Sequence, residues 1–432
     1  MKKHLAVVSC PIDTYSGYGG RSRDFVKSLI ESRPDLDVKV LTQRWGNTKY
    51  GYLADHNETD LASRVITKLP AKPKLWIQIT VPNEFQAVGE YNIGVTAGIE
   101  TTICHETWIQ GVNRMNLVLT SSEHGKRGLT ETKYEQRDKA GNVQGVLEAN
   151  KPIEVLFEGL DLNKYNSVPR DSNCKIVKSL DSIPEQFCFL IVGHWLSGDF
   201  GEDRKNMGLT IERFLSTFKS SLSKPALIVK TQSANSSIMD QTSIIKKINQ
   251  IKEVIGGNTF PNIYLLHGEL KDSDINQMYN HHKVKAMLSL TKGEGFGRPL
   301  LEFSAVGKPI VASGWSGHTD FLRSDLNLLV GGNLTPVHPS AEMKDMILTN
   351  SKWFSADKEE ARRGYKQVFK HYKTHLRNAK KQAMVTKKFY TLEKMTEKLS
   401  TYLDKYLPKF PEEMTFIPPA PKKIEIPKRP KK

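Results

Sequence analysis

Lys292-Gly-Glu294-Gly295-Phe296-Gly297-Arg298-Pro299-Leu-Leu-Glu302-Phe-Ser-Ala-Val-Gly307-Lys308-Pro309 follows directly on the apolar run Ala286 to Leu290. Pro299 suits the first turn of a helix, where its fixed φ is helical and its missing N–H is not needed. Gly307 suits the residue that closes that helix, and Pro309 opens the next apolar run. The stretch therefore reads as strand, glycine loop, helix, strand. Glu294 lies in the loop and Glu302 is expected on the first helical turn, so both carboxylates are expected to face one cleft. The amides of Gly295, Phe296 and Gly297 precede the helix at the positive end of its dipole, where a phosphate or sugar oxygen binds well. Either glutamate alone reads as a cap or a solvated acid. Two of them separated by seven residues, with glycines between and a strand on each side, read as a site.

Working outward, short apolar runs alternate with helical patterns along most of the chain. His4 to Ser9, Val38 to Thr42, Leu75 to Val81, Ile93 to Ala97, Leu117 to Thr120 and Ile153 to Phe157 read as strands of a first unit. Phe187 to Val192, Ala226 to Lys230, Ile263 to Leu266, Ala286 to Leu290, Pro309 to Ser313 and Leu326 to Val330 repeat the theme. Continuous rather than alternating apolar runs suit strands buried on both faces of a parallel sheet. The fold class expected is α/β, with two doubly wound, Rossmann-like domains facing across a cleft. Their join falls in the polar stretch between Asp161 and Pro184. Domains are expected at 1–170 and 183–390, with a helix at 391–407 that crosses back and an extended Pro/Lys-rich tail at 408–432. After the first strand, Gly17-Tyr-Gly19-Gly20 leads into a helical pattern and reads as a tight turn or a phosphate cradle, with its position favouring the cradle.

The 432 residues carry a net charge of +16. Residues 356–432 hold 21 Lys/Arg against 9 Asp/Glu, whereas residues 1–182 (24 against 22) and 183–355 (18 against 16) are nearly balanced. The excess is thus a C-terminal property. It reads as a basic amphipathic helical region, interrupted near Asn378, and as a candidate surface for DNA or another polyanion, for peripheral membrane contact, or for solvent alone. No stretch approaches the roughly 18 apolar residues of a membrane helix. The four cysteines form no Cys-x-x-Cys pair, so neither a zinc site nor a disulfide framework is expected, and a cytoplasmic setting is the simplest expectation.

The segment from Glu294 to Glu302 resembles the E-x7-E signature of retaining GT-B glycosyltransferases that use nucleotide sugars, particularly glycosyltransferase family four. Weaker similarity runs from residue 1 to about 400, through Gly19-Gly20, Glu158-Gly-Leu-Asp161, Val192-Gly193, Arg204-Lys205-Asn206 and Gly314-Trp-Ser-Gly-His318. The resemblance implies that Glu294 contacts donor-sugar hydroxyls, that Glu302 contacts the ribose, and that the amides of Gly295 to Gly297 meet the sugar or diphosphate. It implies that Lys205, with Arg204 beside it, neutralises the leaving diphosphate, that Lys230 is a second phosphate ligand, and that Leu270 packs on the base. Gly19 and Gly20 join the donor-binding set. Glu294, Lys205 and Glu100 form the catalytic set, and Glu100 with His105 borders the acceptor. Where the family commonly has Val-Gly-Arg this chain has Val192-Gly193-His194, so one expected phosphate-binding arginine is missing, with Arg298 or Arg204 as substitutes.

By the same resemblance the reaction is front-face transfer to an acceptor hydroxyl, without a cofactor or an essential metal. Asp35-Leu-Asp37 reads as a surface turn and Asp272-Ser-Asp274 as the N-cap of a helix, so neither is expected to hold a cation. Acceptors left open are DNA with a hydroxylated base and a polysaccharide or lipid glycan. The alternatives are a nucleic-acid-binding protein on the same scaffold, and a phosphorylase or epimerase.

Overall fold

The structure, a computed structural model, describes residues 3–233, 236–257 and 259–410. In chain order its first strands are β1 (His4–Cys10), β2 (Leu36–Thr42), β3 (Val65–Ile66), β4 (Leu75–Ile79), β5 (Tyr91–Thr96), β6 (Leu117–Thr120), β7 (Tyr134–Arg137), β8 (Val143–Leu147) and β9 (Ile153–Val155). There follow β10 (Cys188–Val192), β11 (Ala226–Thr231), β12 (Ile263–His267), β13 (Val284–Ser289), β14 (Ile310–Ser313), β15 (Leu328–Val330), β16 (Gly332–Pro336) and β17 (Lys352–Ala356).

Two parallel sheets carry the fold, one ordered β3-β2-β1-β4-β5-β6-β9 and the other β12-β11-β10-β13-β14-β15. All twelve strands expected from apolar runs are present, within a few residues of the expected ends. They are legible because helices cover both faces: β4 and β6 are buried at every position. In each sheet the chain builds outward on one side of its first strand and then crosses to the other. The loops leaving β1 and β4, and those leaving β10 and β13, therefore part from one another and leave a crevice at the carboxyl ends.

The helix Gly17–Ser32 begins earlier than expected. Ser16 caps it by accepting from the Gly19 amide at 2.9 Å, so Gly19 and Gly20 lie inside its first turn instead of in a loop ahead of it. A Cβ at Gly19 would stand 2.2 Å from the Thr14 carbonyl oxygen, so glycine there lets the β1 loop fold onto the helix. The basic C-terminal region forms two helices, Lys358–Lys370 and Tyr372–Phe389. The break falls at His371, whose backbone leaves the helical region, and not at Asn378, which is mid-helix.

The last helix, Leu392–Tyr406, lies against the first domain. Thr396 Oγ1 donates to Ser28 Oγ at 2.8 Å and Tyr402 donates to the Val155 carbonyl at 3.0 Å. Where the chain returns, the Leu160 amide donates to the Tyr390 carbonyl and the Leu392 amide to the Leu160 carbonyl, both at 2.9 Å. The tail expected from 408 lies outside the described residues beyond Phe410. No helix among the described residues is long and apolar enough to cross a membrane.

Candidate functional site

The loops leaving β10 and β13 are bonded to each other. The Lys292 amide donates to the Arg204 carbonyl at 2.9 Å, and Asn206 Nδ2 donates to the Leu290 carbonyl at 2.9 Å. Asn206 sits at φ 53°, a region its short polar side chain tolerates, and opens the helix Met207–Phe218. This turn sets Lys205 against Glu294. Lys205 Nζ lies 2.6 and 2.7 Å from the two Glu294 carboxylate oxygens, and Arg204 Nη1 lies 3.6 Å from one of them.

A third loop holds Glu294 from behind. Its amide donates to Ser316 Oγ at 2.9 Å, and its carbonyl accepts from the Gly317 amide at 2.9 Å. Burial alone would raise the Glu294 carboxyl, but the charges of Lys205 and then Arg204 outweigh it and hold it below the ordinary range. Gly295, Phe296 and Gly297 are buried residues, and their amides have no hydrogen-bond partner among the described residues. Buried N–H groups without partners are rare in folded proteins, and three in succession at a helix N-terminus mark a place for an oxygen ligand.

The first domain closes one side of this site. Glu100 Oε1 stands 3.5 Å from Arg204 Nη1, and Ser122 Oγ donates to the Gly295 carbonyl at 2.6 Å. A Cβ at Gly293 would fall 1.9 Å from the Glu100 carbonyl oxygen, and one at Gly295 would fall 2.6 Å from that of Ala97. Only glycine permits this approach of the domains. Gly293→Ala is therefore expected to push them apart, seen as a larger radius of gyration in solution scattering.

Lys230, one residue before the end of β11, is half-buried, and burial lowers its ammonium to about 8. His194 is lowered by burial and then by Lys205, with Lys230 and Arg204 adding to the effect, so it favours the neutral form beside these three cations. Leu270 is half-buried beyond β12. His105 caps the helix Glu106–Arg114 by accepting from the Thr107 amide at 3.2 Å, and its Nε2 lies 3.5 Å from Asp345.

Glu302 differs from the expectation. The helix is Arg298–Ala305, so Glu302 stands one turn further in, and it shares no partner with Glu294. Arg298 Nε donates to Glu302 Oε1 at 3.1 Å and Arg298 Nη1 to Asp24 Oδ2 at 2.6 Å, while the Tyr279 hydroxyl donates to Glu302 Oε2 at 3.3 Å. Arg298 is thereby committed to joining the two domains, which leaves Arg204 as the arginine in place beside Glu294. Burial raises the Glu302 carboxyl to about 7 against the partial opposition of Arg298.

With the folded value above the unfolded one, the native protein holds the extra proton between about pH 4.5 and 7, so this group makes stability fall as pH rises through that window. Glu302→Gln is expected to raise Tm relative to the parent more at pH 7.5 than at pH 5 in thermal melts.

Lys271, not Asp272, stands at the N-cap position of the helix Asp272–Asn280, and its side chain makes no capping bond. Asp272 instead accepts from the Tyr52 and Tyr165 hydroxyls, both at 3.0 Å. Asp35 pairs with Arg33 in a surface turn. Among the described residues one group, Asp181, His281 and His282, brings three possible metal ligands together, and Asp181 is already paired with Arg170. The four cysteines are free thiols. Sequence reasoning missed Ser316 and Ser122, whose roles depend on loops meeting in space. Ser316 carries one local sign, its place between Gly314 and Gly317 in the motif Gly314-Trp-Ser-Gly-His318, and its backbone is held at φ 79°.

Two doubly wound parallel domains with the site in the crevice between them constitute the GT-B fold. Residues 260–350 match the family model described as glycosyl transferases group 1, a span that contains Glu294, Glu302 and the loop between them. No curated protein matches the chain by sequence. Similar solved structures include a glycosyltransferase from Rickettsia africae, with a TM-score of 0.62 at 12% identity over 94% of this chain and 99% of that one. HepE of Anabaena in complex with UDP-glucose gives 0.60 at 11% identity over 93% and 100%. Sucrose-phosphate synthase from Thermosynechococcus elongatus gives 0.58 at 11% over 93% and 98%.

Proposed function

We propose that the protein is a retaining glycosyltransferase that moves a sugar from a nucleoside diphosphate to an acceptor hydroxyl without an essential metal. The observation that carries this reading is the meeting, at one switch point, of the Lys205–Glu294 pair with the amides of three buried residues, which lack partners. In this reading the amides of Gly295 to Gly297 bind the diphosphate or sugar oxygens, and Glu294 accepts from sugar hydroxyls. Lys205 and Arg204, with Lys230, meet the negative charge that grows as the bond from the anomeric carbon to the diphosphate oxygen breaks. The acceptor oxygen bonds to the same face of that carbon, and its proton passes to the departing phosphate oxygen. Leu270 borders the base, and Glu302 turns to the ribose if Arg298 releases it. Glu100 lies on the acceptor side with His105 behind it.

UDP-glucose, the ligand named with HepE, is the first donor to try. Purified protein incubated with UDP-, GDP- and ADP-sugars is expected to release the nucleoside diphosphate, faster with an acceptor, and to give product of unchanged anomeric configuration by NMR. Inverted product would overturn the retaining assignment. Release of sugar phosphate without an acceptor would favour a phosphorylase, and loss of turnover in excess EDTA would overturn metal independence.

A further inference from the structure

Residues 361–392 contain ten Lys or Arg and no Asp or Glu. In the helix Tyr372–Phe389 the residues Lys373, Arg377, Lys380, Lys381 and Lys388 are all exposed, and none makes an ion pair among the described residues. Their spacing of three, four, seven and eight residues places them on one face, and from first to last they span about 22 Å of helix axis. The opposite face is occupied: Ala379, Gln382, Ala383 and Thr386 are buried, and Thr386 Oγ1 lies 2.8 Å from Ser304 Oγ.

This row runs against the preferences of an isolated helix. Lys373–Arg377 and Arg377–Lys381 are like charges at i,i+4, and Arg377–Lys380 is a like pair at i,i+3. Lys373 stands in the first turn, where the dipole disfavours a cation and where the helix has no acid. Exposed Lys49, Arg323 and Lys394 each have a carboxylate partner within 3.0 Å, whereas exposed Lys139, Lys151, Lys175 and Lys178 have none among the described residues but form no such row. A line of unpaired, mutually repelling cations is complementary to a line of anions.

We infer that the exposed face of the helix Tyr372–Phe389 is a sequence-independent docking surface for the phosphodiester backbone of a nucleic acid. An anionic membrane is the less favoured partner, because the apolar side that would enter a bilayer is buried against the protein and Met384 is the one large apolar side chain within the row. The row reads charge and spacing only, so it positions a polynucleotide without selecting a base. None of its side chains is bonded to Lys205, Glu294 or their partners, and the inference does not depend on the activity proposed above.

The test uses the full chain and short labelled duplexes of DNA and of RNA, with binding followed by fluorescence anisotropy between about 50 and 200 mM salt. Lys373→Gln, Arg377→Gln, Lys380→Gln and Lys381→Gln are combined in one variant. The parent is expected to bind with a steep salt dependence, and the variant to lose roughly 3 to 4 from the log–log slope, since each phosphate contact contributes about 0.9. A control that neutralises four other exposed lysines, Lys139, Lys151, Lys175 and Lys178, removes the same net charge and is expected to change the slope by less than one such contact.

Weaker binding of RNA than of DNA, or the reverse, names the backbone that fits, and either supports the surface. No binding by the parent, or equal losses in variant and control, overturns it. Binding of phosphatidylglycerol vesicles that depends on the four residues, with no such dependence for duplexes, overturns it in favour of a membrane. The variant is expected to keep the parent's Tm or exceed it, because repelling pairs are removed, so lost binding cannot be laid to misfolding.

Discussion

Lys205→Ala is expected to reduce donor turnover by about 10²–10³-fold, the usual cost of deleting one group that meets charge developing in a transition state. The loss should fall mainly on kcat, since the charge on the diphosphate oxygen grows as the glycosidic bond breaks and is smaller in the bound donor. Burial sharpens the effect: the Lys205 side chain is 16% exposed and that of Glu294 9%, so bulk water does little to replace the ammonium. The alanine variant also leaves Glu294 without its nearest counter-charge, which destabilises the loop independently of chemistry. The pair Lys205→Met with Glu294→Gln leaves no lone buried charge. It is expected to melt near the parent and still lack turnover, whereas Lys205→Arg keeps the charge and is expected to retain part of the rate. A melting point restored together with full activity would show that Lys205 serves the fold alone.

The second large effect concerns Arg298. Its guanidinium joins Asp24 of the first domain to Glu302 of the second, and the side chains of those acids are 9% and 8% exposed. Glu158, also buried, adds to the same field. Arg298→Ala strands buried carboxylates, a change that typically costs about 3–5 kcal/mol. For domains of this size that corresponds to a fall in Tm on the order of 10 °C in a thermal melt. Arg298→Lys supplies charge to one acid but cannot span both as a fork, and is expected to fall between the two. Lowering the pH relieves the alanine variant by protonating Glu302 first, because its carboxyl is already raised to about 7. The gap between variant and parent should therefore narrow from pH 8 toward about pH 5.

Much of the fold was legible because a strand buried on both faces must be apolar at every position, and twelve runs of that kind stand out in the sequence. Strands that face water on one side left no such mark. Tyr134–Arg137 and Val143–Leu147 pair as a mostly exposed antiparallel hairpin of mixed polarity, and Gly332–Pro336 pairs with Lys352–Ala356 despite a glycine at one end and a proline at the other. The site was legible where its parts are local, in the loop from Glu294 to Gly297 and its helix. Its partners Lys205 and Arg204 were named through the family resemblance and not by their own spacing. Lys205 and Glu294 stand 89 residues apart, and the chain gives no local sign that two switch-point loops bond to each other.

Nor does a sequence show that Arg21 and Arg23 are buried. Arg21 donates to the carbonyls of Leu156 and Phe157, and Arg23 to those of Ile12 and Thr14. The two arginines follow the glycines at the start of the first helix, and both side chains pin backbone in the first domain. Glu302 illustrates the same point from the other side: its distance from Glu294 along the chain was plain, but its partner Tyr279, and the Asp24 that shares Arg298 with it, come from other elements.

The return of the chain to the first domain has a mechanical consequence. A single connecting segment is a ball joint, free to swing and twist. Here the outgoing strand at Leu160 and the returning strand at Tyr390 to Leu392 lie side by side and are bonded to each other twice. Two such plies, laid flat, bend easily across their width and resist torsion. The halves are thus joined by a double ply and not by a single thread.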